Sequence, residues 1–388
     1  FVQPLFQPGV MPNSAGCQAE AGEMEPRHWG NSTRTAQHAC VSRPGAGRRP
    51  GNRLICRRGS CGQPAQHQAC HRPDVHTAAK HHLQALPSSV GLWDSGRFAV
   101  VSKLGDAKSN HGCVHLMKDQ QQGDESVAVK QMPNWCVLGS LQAEAARVHD
   151  IERPWQDIQC LHYLNEVGYP YVCKFRGVYR DDDFTYVVMS RASESDLFTW
   201  SSELTVEPGP ARAALIQPIA CQILDAVKHL HNLSIIHRDL SLENILLHKE
   251  GENGQLRVKI ADFGAASATR NMQCLMIGKG PYLAPELHRG GECDGFLSDT
   301  FAVGVVVYGM ALKQLPWAST SPGACKCFQY AEKKGLRPYF AKRQCGGVSV
   351  EEALTEPVVE VLKGLLAFSP DSRLVLGESA WAGSRPTV

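Results

Sequence analysis

From residue 97 onward, apolar and polar residues alternate in short runs that predict β-strands. The first three runs cover residues 97–104, 113–117 and 126–132. Alternation with a period of two is typical of a sheet with one buried face. Two further runs, 172–179 and 184–189, flank an acidic turn and predict a second hairpin. The first half of this region is therefore predicted to be a β-sheet.

Beyond residue 210 the apolar period lengthens to that of helices. Leu215, Ile219, Ile223, Val227 and Leu230 recur at steps of three and four residues, which predicts one core-facing helix. Because Pro218 is tolerated only in a first turn, we expect this helix to begin there. Residues 301–312 are apolar nearly all round, too short to span a bilayer and typical of a buried core helix. Residues 357–368 predict another amphipathic helix, so the fold class is α+β.

Between two predicted strands, residues 236–247 contain a polar loop. The loop offers Asp239 and Asn244, five residues apart, and Asp262 follows a hairpin whose turn is predicted at residues 253–254. On the third strand, alternation directs Lys130 and Ala128 inward, and an inward lysine is costly unless it is paired. Two acids, a carboxamide and a lysine suit the positioning and neutralisation of phosphates.

Residues 1–92 have a different composition, rich in Pro, Gly, Arg, His, Ser and Gln. Such a segment buries too little apolar surface to offset the entropy of ordering, so it is predicted to be a disordered low-complexity tail. Its arginines could contact acidic partners or simply be solvated. Four of its residues could be imagined as zinc ligands, although their spacing matches no common zinc finger: Cys56, Cys61, His67 and Cys70. Since the chain begins at Phe1 and not at Met, it is expected to be a fragment or partial gene product.

Composition narrows the remaining classes. The 388 residues are 43% hydrophobic, which is enough for a full core, and the net charge of +2 gives no reason to expect nucleic acid or membrane as a partner. Of 15 cysteines, five precede residue 72 and ten follow at irregular spacing. This usage favours thiols of a reducing compartment over a disulfide framework, and hence a cytoplasmic location.

Single short motifs occur by chance, but here their order and spacing agree. The chain has Val-Ala-Val-Lys at 127–130, His-Arg-Asp at 237–239, Asp-Phe-Gly at 262–264, Ala-Pro-Glu at 284–286, then Asp299 and Arg373. This set resembles the eukaryotic protein kinase superfamily, serine/threonine type. The resemblance implies a bilobal fold in residues 93–388, with a small β-rich N-lobe (93–189) and a larger α-helical C-lobe (190–388). It also implies ATP and Mg²⁺ as cofactors.

The resemblance assigns roles to the polar residues. Asp239 would take or orient the proton of the substrate hydroxyl, and Asn244 and Asp262 would be the metal ligands. Lys130 would hold the α and β phosphates and pair with a helix acid. By alignment that acid is Asp157, one methylene shorter than the glutamate usual in the family, with Glu152 as the fallback.

The nucleotide-binding residues follow in the same way. Ten are implied: Gly105, Gly112, Val114, Ala128, Lys130, Asp157, Met189, Ala192, Asp196 and Leu246. Val114, Ala128 and Leu246 would sandwich adenine. Asp196 is either a ribose contact or the N-cap of the next helix. The glycine loop departs from the family pattern, with Ala107 at its middle glycine position and two extra residues before Gly112.

Two further departures lie near Asp239. Serine/threonine kinases usually carry a lysine where this chain has Ser241, and a threonine where it has Lys279. We hypothesise an exchange, in which Lys279 supplies the ammonium near the γ-phosphate and Asp239, and Ser241 supplies the hydroxyl. Both residues are therefore counted as catalytic.

Two structural contacts are also implied. His237, Phe263, Leu161 and Phe175 would form a hydrophobic column between the lobes. Glu286 and Arg373 would form a buried ion pair.

The preferred function is transfer of the γ-phosphoryl group of Mg-ATP to serine or threonine hydroxyls of a protein substrate. The alternative is a pseudokinase that binds ATP as a scaffold or sensor, favoured by the irregular glycine loop and by Asp157. An aminoglycoside-type phosphotransferase ranks last, because it lacks the Ala-Pro-Glu segment. The sequence specifies no oligomeric state.

Overall fold

A computed structural model describes residues 90–107, 111–145, 153–381 and 384–388. Its strands are β1 (Gly91–Leu92), β2 (Phe98–Ala107), β3 (Gly112–Asp119), β4 (Glu125–Pro133), β5 (Phe175–Arg180), β6 (Phe184–Ser190), β7 (Ile245–Glu250), β8 (Gln255–Ile260), β9 (Asn271–Gln273), β10 (Glu292–Asp294), β11 (Gln344–Cys345) and β12 (Val348–Ser349). Its α-helices are α1 (Asn134–Ala145), α2 (Pro154–Glu166), α3 (Leu197–Glu203), α4 (Pro210–Asn232), α5 (Gly295–Leu312), α6 (Lys326–Lys334), α7 (Leu336–Lys342), α8 (Val350–Ala353) and α9 (Glu356–Leu365).

The first six strands form one sheet in the order β1-β5-β6-β4-β3-β2. The alternation read from the sequence locates β2 to β6 within a few residues, and the sheet ends at Ser190, next to the predicted lobe boundary. Its buried face is a cluster that includes Phe98, Met117 and Tyr186. Trp93 stacks on Tyr186 with ring centroids 3.8 Å apart. The small N-lobe is thus a twisted sheet with an aromatic core on one face.

The predicted tail of residues 1–92 lies outside the described residues except at its end, where a correction is needed. Gly91 and Leu92 form β1, which pairs in parallel with Tyr179 and Arg180 of β5. A Cβ on Gly91 would lie 2.9 Å from the Tyr179 ring, so only glycine lets the chain approach the sheet this closely. The four suggested zinc ligands also lie outside the described residues.

The larger lobe is helical, and its longest helix corrects one prediction. Helix α4 begins at Pro210, eight residues before Pro218, which lies inside it on the exposed face. There a missing backbone N–H and a slight bend are tolerated, because water can solvate the unpaired carbonyl. Leu215, predicted to face the core, is 44% exposed, and Ile216 is buried in its place.

Helix α5 is the centre of this lobe. All of its 18 residues are buried, and the Asp294 carboxylate caps its N-terminus by accepting from the Phe296 N–H at 2.9 Å. The observed helix starts six residues earlier than predicted, so by length and composition it could cross a membrane, contrary to the expectation that it is too short. Its complete burial is that of a core helix, as predicted.

The polar loop that contains Asp239 is followed by a two-stranded hairpin. Strand β7 pairs antiparallel with β8 from Ile245 opposite Ile260 to Glu250 opposite Gln255. The turn covers residues 251–254, with Gly251 and Gly254 both at positive φ, which confirms the predicted turn. Both metal-ligand candidates, Asn244 and Asp262, stand next to the same end of this hairpin.

Candidate active site

Lys130 lies on β4 in a run of four buried residues and is itself 7% exposed. Its Nζ donates to Asp157 Oδ2 at 2.6 Å and lies 3.6 Å from Asp262 Oδ1. Asp157 is in the first turn of α2, where the helix dipole favours a negative charge. The inward lysine is therefore paired with two carboxylates from different elements. Glu152, the fallback partner, lies outside the described residues.

A shorter acid reaches Lys130 because the start of α2 is bonded directly to the segment that follows Asp262. Asp157 Oδ1 accepts from the Phe263 N–H at 2.8 Å. The Arg153 N–H donates to the Gly264 carbonyl at 3.0 Å, and the Gln156 side chain donates to the Ala266 carbonyl. Sequence reasoning missed these bonds, since no local pattern marks Arg153 or Gln156.

Asp262 adopts a left-handed conformation, with φ of 63°. This conformation is uncommon for a residue with a Cβ, and it turns the carboxylate towards Lys130. The Lys130 ammonium is the main cause that lowers the pKa of Asp262, against burial, which favours the neutral acid. Asp262 is therefore held ionised, as a metal ligand needs to be.

The loop that contains Asp239 is anchored to α5. The buried Asp299 carboxylate accepts from the backbone N–H groups of His237 at 2.7 Å and Arg238 at 2.9 Å. Asn244 then fixes the end of the loop, since its Nδ2 donates to the Asp239 carbonyl at 2.7 Å and to Asp239 Oδ2 at 2.8 Å. The amide oxygen of the Asn244 side chain takes no part in these two hydrogen bonds.

The two carboxylate oxygens of Asp239 have different surroundings, since Oδ2 accepts from Asn244 and Oδ1 is buried. Among the described residues, none donates a hydrogen bond to the buried Oδ1. Burial raises the pKa of Asp239, and the charges of Lys279 and His237 together with the Asn244 hydrogen bond oppose that rise. A Cβ on Gly278 would lie 3.2 Å from this Oδ1 and 2.9 Å from the Arg238 carbonyl. The glycine thus leaves space beside the orphaned oxygen.

Lys279 lies next to Ser241, as the exchange hypothesis requires. Its Nζ donates to Ser241 Oγ at 2.5 Å and is 3.4 Å from Glu243 Oε2, an acid that sequence reasoning did not include. Ser241 is fully buried, whereas Lys279 and Glu243 are partly exposed. The structure thus places an ammonium and a hydroxyl in direct contact beside the loop that contains Asp239.

Four of the candidate nucleotide-binding residues lie on neighbouring strands of the N-lobe sheet. Val114 pairs with Lys130 across β3 and β4, and Ala128 pairs with Met189 across β4 and β6. Asp196 forms an isolated bridge with Leu246.

Asp196 also caps α3, since its Oδ1 accepts from the Thr199 N–H at 2.8 Å and its Oδ2 from Thr199 Oγ1 at 3.0 Å. The N-cap alternative is therefore present, and the ribose contact stays a prediction. Ala192, half-buried, follows β6. Gly105 pairs with Val114 and Gly112 with Ala107 on the β2–β3 hairpin, whose tip at 108–110 lies outside the described residues.

Two predicted contacts outside the polar site have different outcomes. The Glu286–Arg373 ion pair is confirmed, with two bonds of 2.6 and 2.9 Å, and Arg373 also donates to the Leu297 carbonyl at 2.8 Å. Of the predicted column, His237 and Phe263 are in contact with ring centroids 4.9 Å apart. Phe175 makes its ring contact with His162, the residue next to the buried Leu161.

Sequence reasoning missed a buried histidine behind the loop. His231 lies between two carboxylates, with Nδ1 2.7 Å from Glu378 and Nε2 3.2 Å from Asp299. Burial lowers the pKa of His231, but the hydrogen bonds to both acids outweigh it, so the pKa is raised. No sequence signal joins residues 231 and 378, since they are 147 positions apart.

Comparison with known proteins decides the family. The model of the protein kinase domain matches residues 98–380, well over half of the chain. The chain belongs to the protein kinase family. The described residues give the kinase domain its expected two parts, a β-sheet N-lobe and a helical C-lobe.

Three curated relatives of this kinase domain are protein kinases by name. Rat serine/threonine-protein kinase SIK1 is 27% identical over 311 residues, which are 79% of this chain and 34% of that protein. Calcium-dependent protein kinase 24 of Oryza sativa is 29% identical over 255 residues, 65% of this chain and 45% of that protein. The mitosis inducer protein kinase cdr1 of Schizosaccharomyces pombe is 24% identical over 294 residues, which are 75% of this chain and 41% of that protein. The chain thus spans less than half the length of these relatives.

Proposed function

We propose that the chain is a protein serine/threonine kinase that transfers the γ-phosphoryl group of ATP, with Mg²⁺, to hydroxyls of a protein substrate. The observation that carries the proposal is the convergence of Lys130, Asp157 and Asp262 within one set of contacts of 2.6 to 3.6 Å. Lys130 would hold phosphate oxygens, and its contacts with two acids orient its ammonium for that task.

The donor set fits magnesium. Asp262 offers a carboxylate held ionised by Lys130, and Asn244 offers an amide oxygen whose nitrogen is already bonded to Asp239. Mg²⁺ prefers hard oxygen ligands and keeps several waters, so one carboxylate and one carboxamide suffice. When bound, magnesium would neutralise charge on the phosphate oxygens.

Asp239 would orient the substrate hydroxyl and accept its proton. Three features support this role: the buried Oδ1, to which no described residue donates, the space kept by Gly278, and a pKa raised by burial. The adjoining cleft is lined by Asp239, Met272, Leu275, Gly278, Lys279 and Leu287, so a substrate residue beside Asp239 would meet mainly apolar walls.

The Lys279–Ser241 contact supports the exchange as part of catalysis. Lys279 would neutralise charge near Asp239, and Ser241 would hold the ammonium in position. We would measure kcat for Lys279→Ala, Ser241→Ala and the double variant. If the two residues are coupled, the kcat of the double variant should lie within about twofold of the kcat of Lys279→Ala. If the free-energy effects of the two single substitutions simply add, the coupling is refuted.

Serine or threonine is the proposed acceptor, because residues 282–286 and the Leu-x-Glu-Asn stretch resemble those of serine/threonine kinases. We propose an intracellular, cytoplasmic location on the cysteine usage alone. Nucleic acid and membrane are not proposed as partners.

The deciding experiment incubates the protein with labelled ATP, Mg²⁺ and a generic protein acceptor. We expect phosphoserine or phosphothreonine that disappears in Asp239→Asn and Asp262→Asn but persists in Asp371→Asn, an exposed acid outside the site. A kinase of this type turns over at about 1 to 100 per second at best. No transfer by a protein that binds ATP would contradict the proposal.

That outcome would favour the second candidate, an ATP-binding pseudokinase. One of the two arguments for a pseudokinase, the shorter acid at position 157, is weakened because Asp157 contacts Lys130 at 2.6 Å. The other argument remains in the β2–β3 hairpin, which has register shifts between Val100 and Ser102 and between Lys103 and Gly105. Irregular pairing there would loosen the cover over the phosphates.

A further inference from the structure

Cys274 and Cys293 lie at the antiparallel strand pair β9–β10, a few residues before Lys279 in the chain and shortly after it. Cys274 directly follows β9 and is partly exposed, while Cys293 lies on β10 and is 9% exposed. Neither is disulfide-bonded. The residues from Asp262 to Glu286, here called the activation segment, include β9 and Cys274, and β10 follows the segment in the chain.

The strand register brings the two side chains together. Cys293 is opposite Met272, and the Cys274 N–H donates to the Gly291 carbonyl at 2.8 Å. Residues two apart in a strand share a face, so Cys274 and Cys293 are diagonal neighbours on one face of the pair. This register makes Cys274 the cysteine nearest to Cys293 along the strand pair.

We propose that Cys274 and Cys293 form a disulfide in response to peroxide, and that this bond clasps the activation segment with Lys279 in the cleft. The second half of the proposal rests on the proposed kinase function. The first half, the covalent bond itself, does not.

The chemistry balances with hydrogen peroxide as the oxidant. The more accessible Cys274 sulfur, as thiolate, attacks one peroxide oxygen, the O–O bond breaks, and hydroxide leaves. The Cys293 sulfur then gives up its proton and displaces hydroxide from the Cys274 sulfenic acid, forming the S–S bond. In total two thiols lose two electrons, and one peroxide becomes two waters.

Local charges suit this order of events. Burial, and then its contact with Cys274, raise the pKa of Cys293 to about 12, while the Arg238 charge lowers it. Cys274 is the more exposed of the two thiols, so peroxide reaches it first. Cys293 is therefore protected at rest and becomes the resolving thiol only after Cys274 has reacted.

The clasp would act at the weak end of β9. The other end is already held, because Arg270 Nε donates to Asp294 Oδ2 at 2.8 Å and the Gly295 N–H donates to the Arg270 carbonyl at 2.9 Å. Just beyond the three-residue strand, the Cys274 N–H donates to the Gly291 carbonyl, five residues before Lys279. Diagonal neighbours lie about 7–8 Å apart, slightly above the disulfide range of about 4.4–6.8 Å. Closure would thus draw this end inward by about 1 Å.

Peptide mapping tests the bond directly. The full chain is treated with a small excess of hydrogen peroxide, thiols are blocked, and non-reduced tryptic peptides are analysed by mass spectrometry. We expect a peptide pair linked through Cys274 and Cys293 that is lost in Cys274→Ser and in Cys293→Ser. It should be unchanged in Cys221→Ser, which removes an exposed thiol elsewhere. Linkage through other cysteines, or Cys274 sulfinic acid without a link, overturns the proposal.

Limited trypsin digestion tests the clasp. Cleavage after Lys279 should slow at least about fivefold on oxidation, recover with a reductant, and not slow in Cys274→Ser. Unchanged cleavage in a linked protein would overturn the clasp. Phosphoryl transfer is assayed in parallel on reduced protein. A linked but inactive protein contradicts only the proposed function, and an active protein that never links contradicts only the disulfide.

Discussion

Asp157 offers a sharp test, because restoring the glutamate usual in the family should damage this site. Both carboxylate oxygens are engaged, one with Lys130 Nζ at 2.6 Å and the other with the Phe263 N–H at 2.8 Å. An extra methylene must displace one of these partners or shift α2, whose first residues are bonded to Gly264 and Ala266. Overpacking of this kind costs about 1–3 kcal/mol. We expect Asp157→Glu to reduce kcat/KM about tenfold.

Asp157→Asn separates charge from size. It keeps an oxygen for the Phe263 N–H but loses a charged hydrogen bond to a mostly buried lysine, worth about 1.5–3 kcal/mol. Lys130 still has Asp262 at 3.6 Å, so the loss should stay near 2 kcal/mol, or about 30-fold in kcat/KM. Most of this loss in kcat/KM should appear as an increase in the KM for ATP.

The assay is steady-state phosphorylation of a generic protein acceptor over a range of ATP concentrations. Glu166→Asp, at the exposed end of the same helix, is the matched control and should behave like the wild type. The reasoning fails if Asp157→Glu is as active as the parent protein, because the shorter acid would then be no adaptation to the position of α2.

Three other predictions concern charge. Lys279→Ala removes a cation that lowers the pKa of Asp239. The acid limb of the kcat–pH profile should therefore move to higher pH, and kcat should fall about tenfold. An acid limb at the same pH as in the wild type contradicts this prediction. Arg373→Met leaves Glu286 buried without its partner and should lower the free energy of unfolding by about 3–5 kcal/mol, measured in urea, whereas little loss would show the pair to be dispensable. The raised pKa of His231 contributes stability that is complete below about pH 6.5 and is lost as the pH rises through the folded-state pKa. The urea midpoint of the wild type should therefore decline above pH 6.5, and this decline should be absent in His231→Gln. A decline in the variant equal to that of the wild type contradicts the prediction.

Local pattern was enough to predict the features that depend on neighbouring residues. Period-two alternation located the strands, and the motif order located Lys130, Asp239 and Asp262. Helix α1 was missed because its sequence shows little amphipathic periodicity, and the start of α4 was misplaced because Pro218 lies on an exposed face. A proline is a reliable helix boundary only where its missing hydrogen bond cannot be replaced by water.

Contacts between distant segments were predictable only where a family motif supplied both partners. The Glu286–Arg373 pair was such a case. The contacts of His231 with Glu378 and of Lys279 with Glu243 join residues 147 and 36 positions apart, and no periodicity or turn signal connects them. The burial that sets the pKa of Asp239 is likewise a property of the folded chain alone.

The attachment of the catalytic loop to Asp299 has a consequence for amide exchange with solvent deuterium. The N–H groups of His237 and Arg238 are bonded to a side chain of the fully buried α5. Their exchange should therefore require opening of the whole helical lobe, whereas the amides around Cys274, held by a three-residue ladder, should exchange through small local fluctuations. A loop that belongs to no regular element would thus be among the slowest-exchanging parts of the molecule.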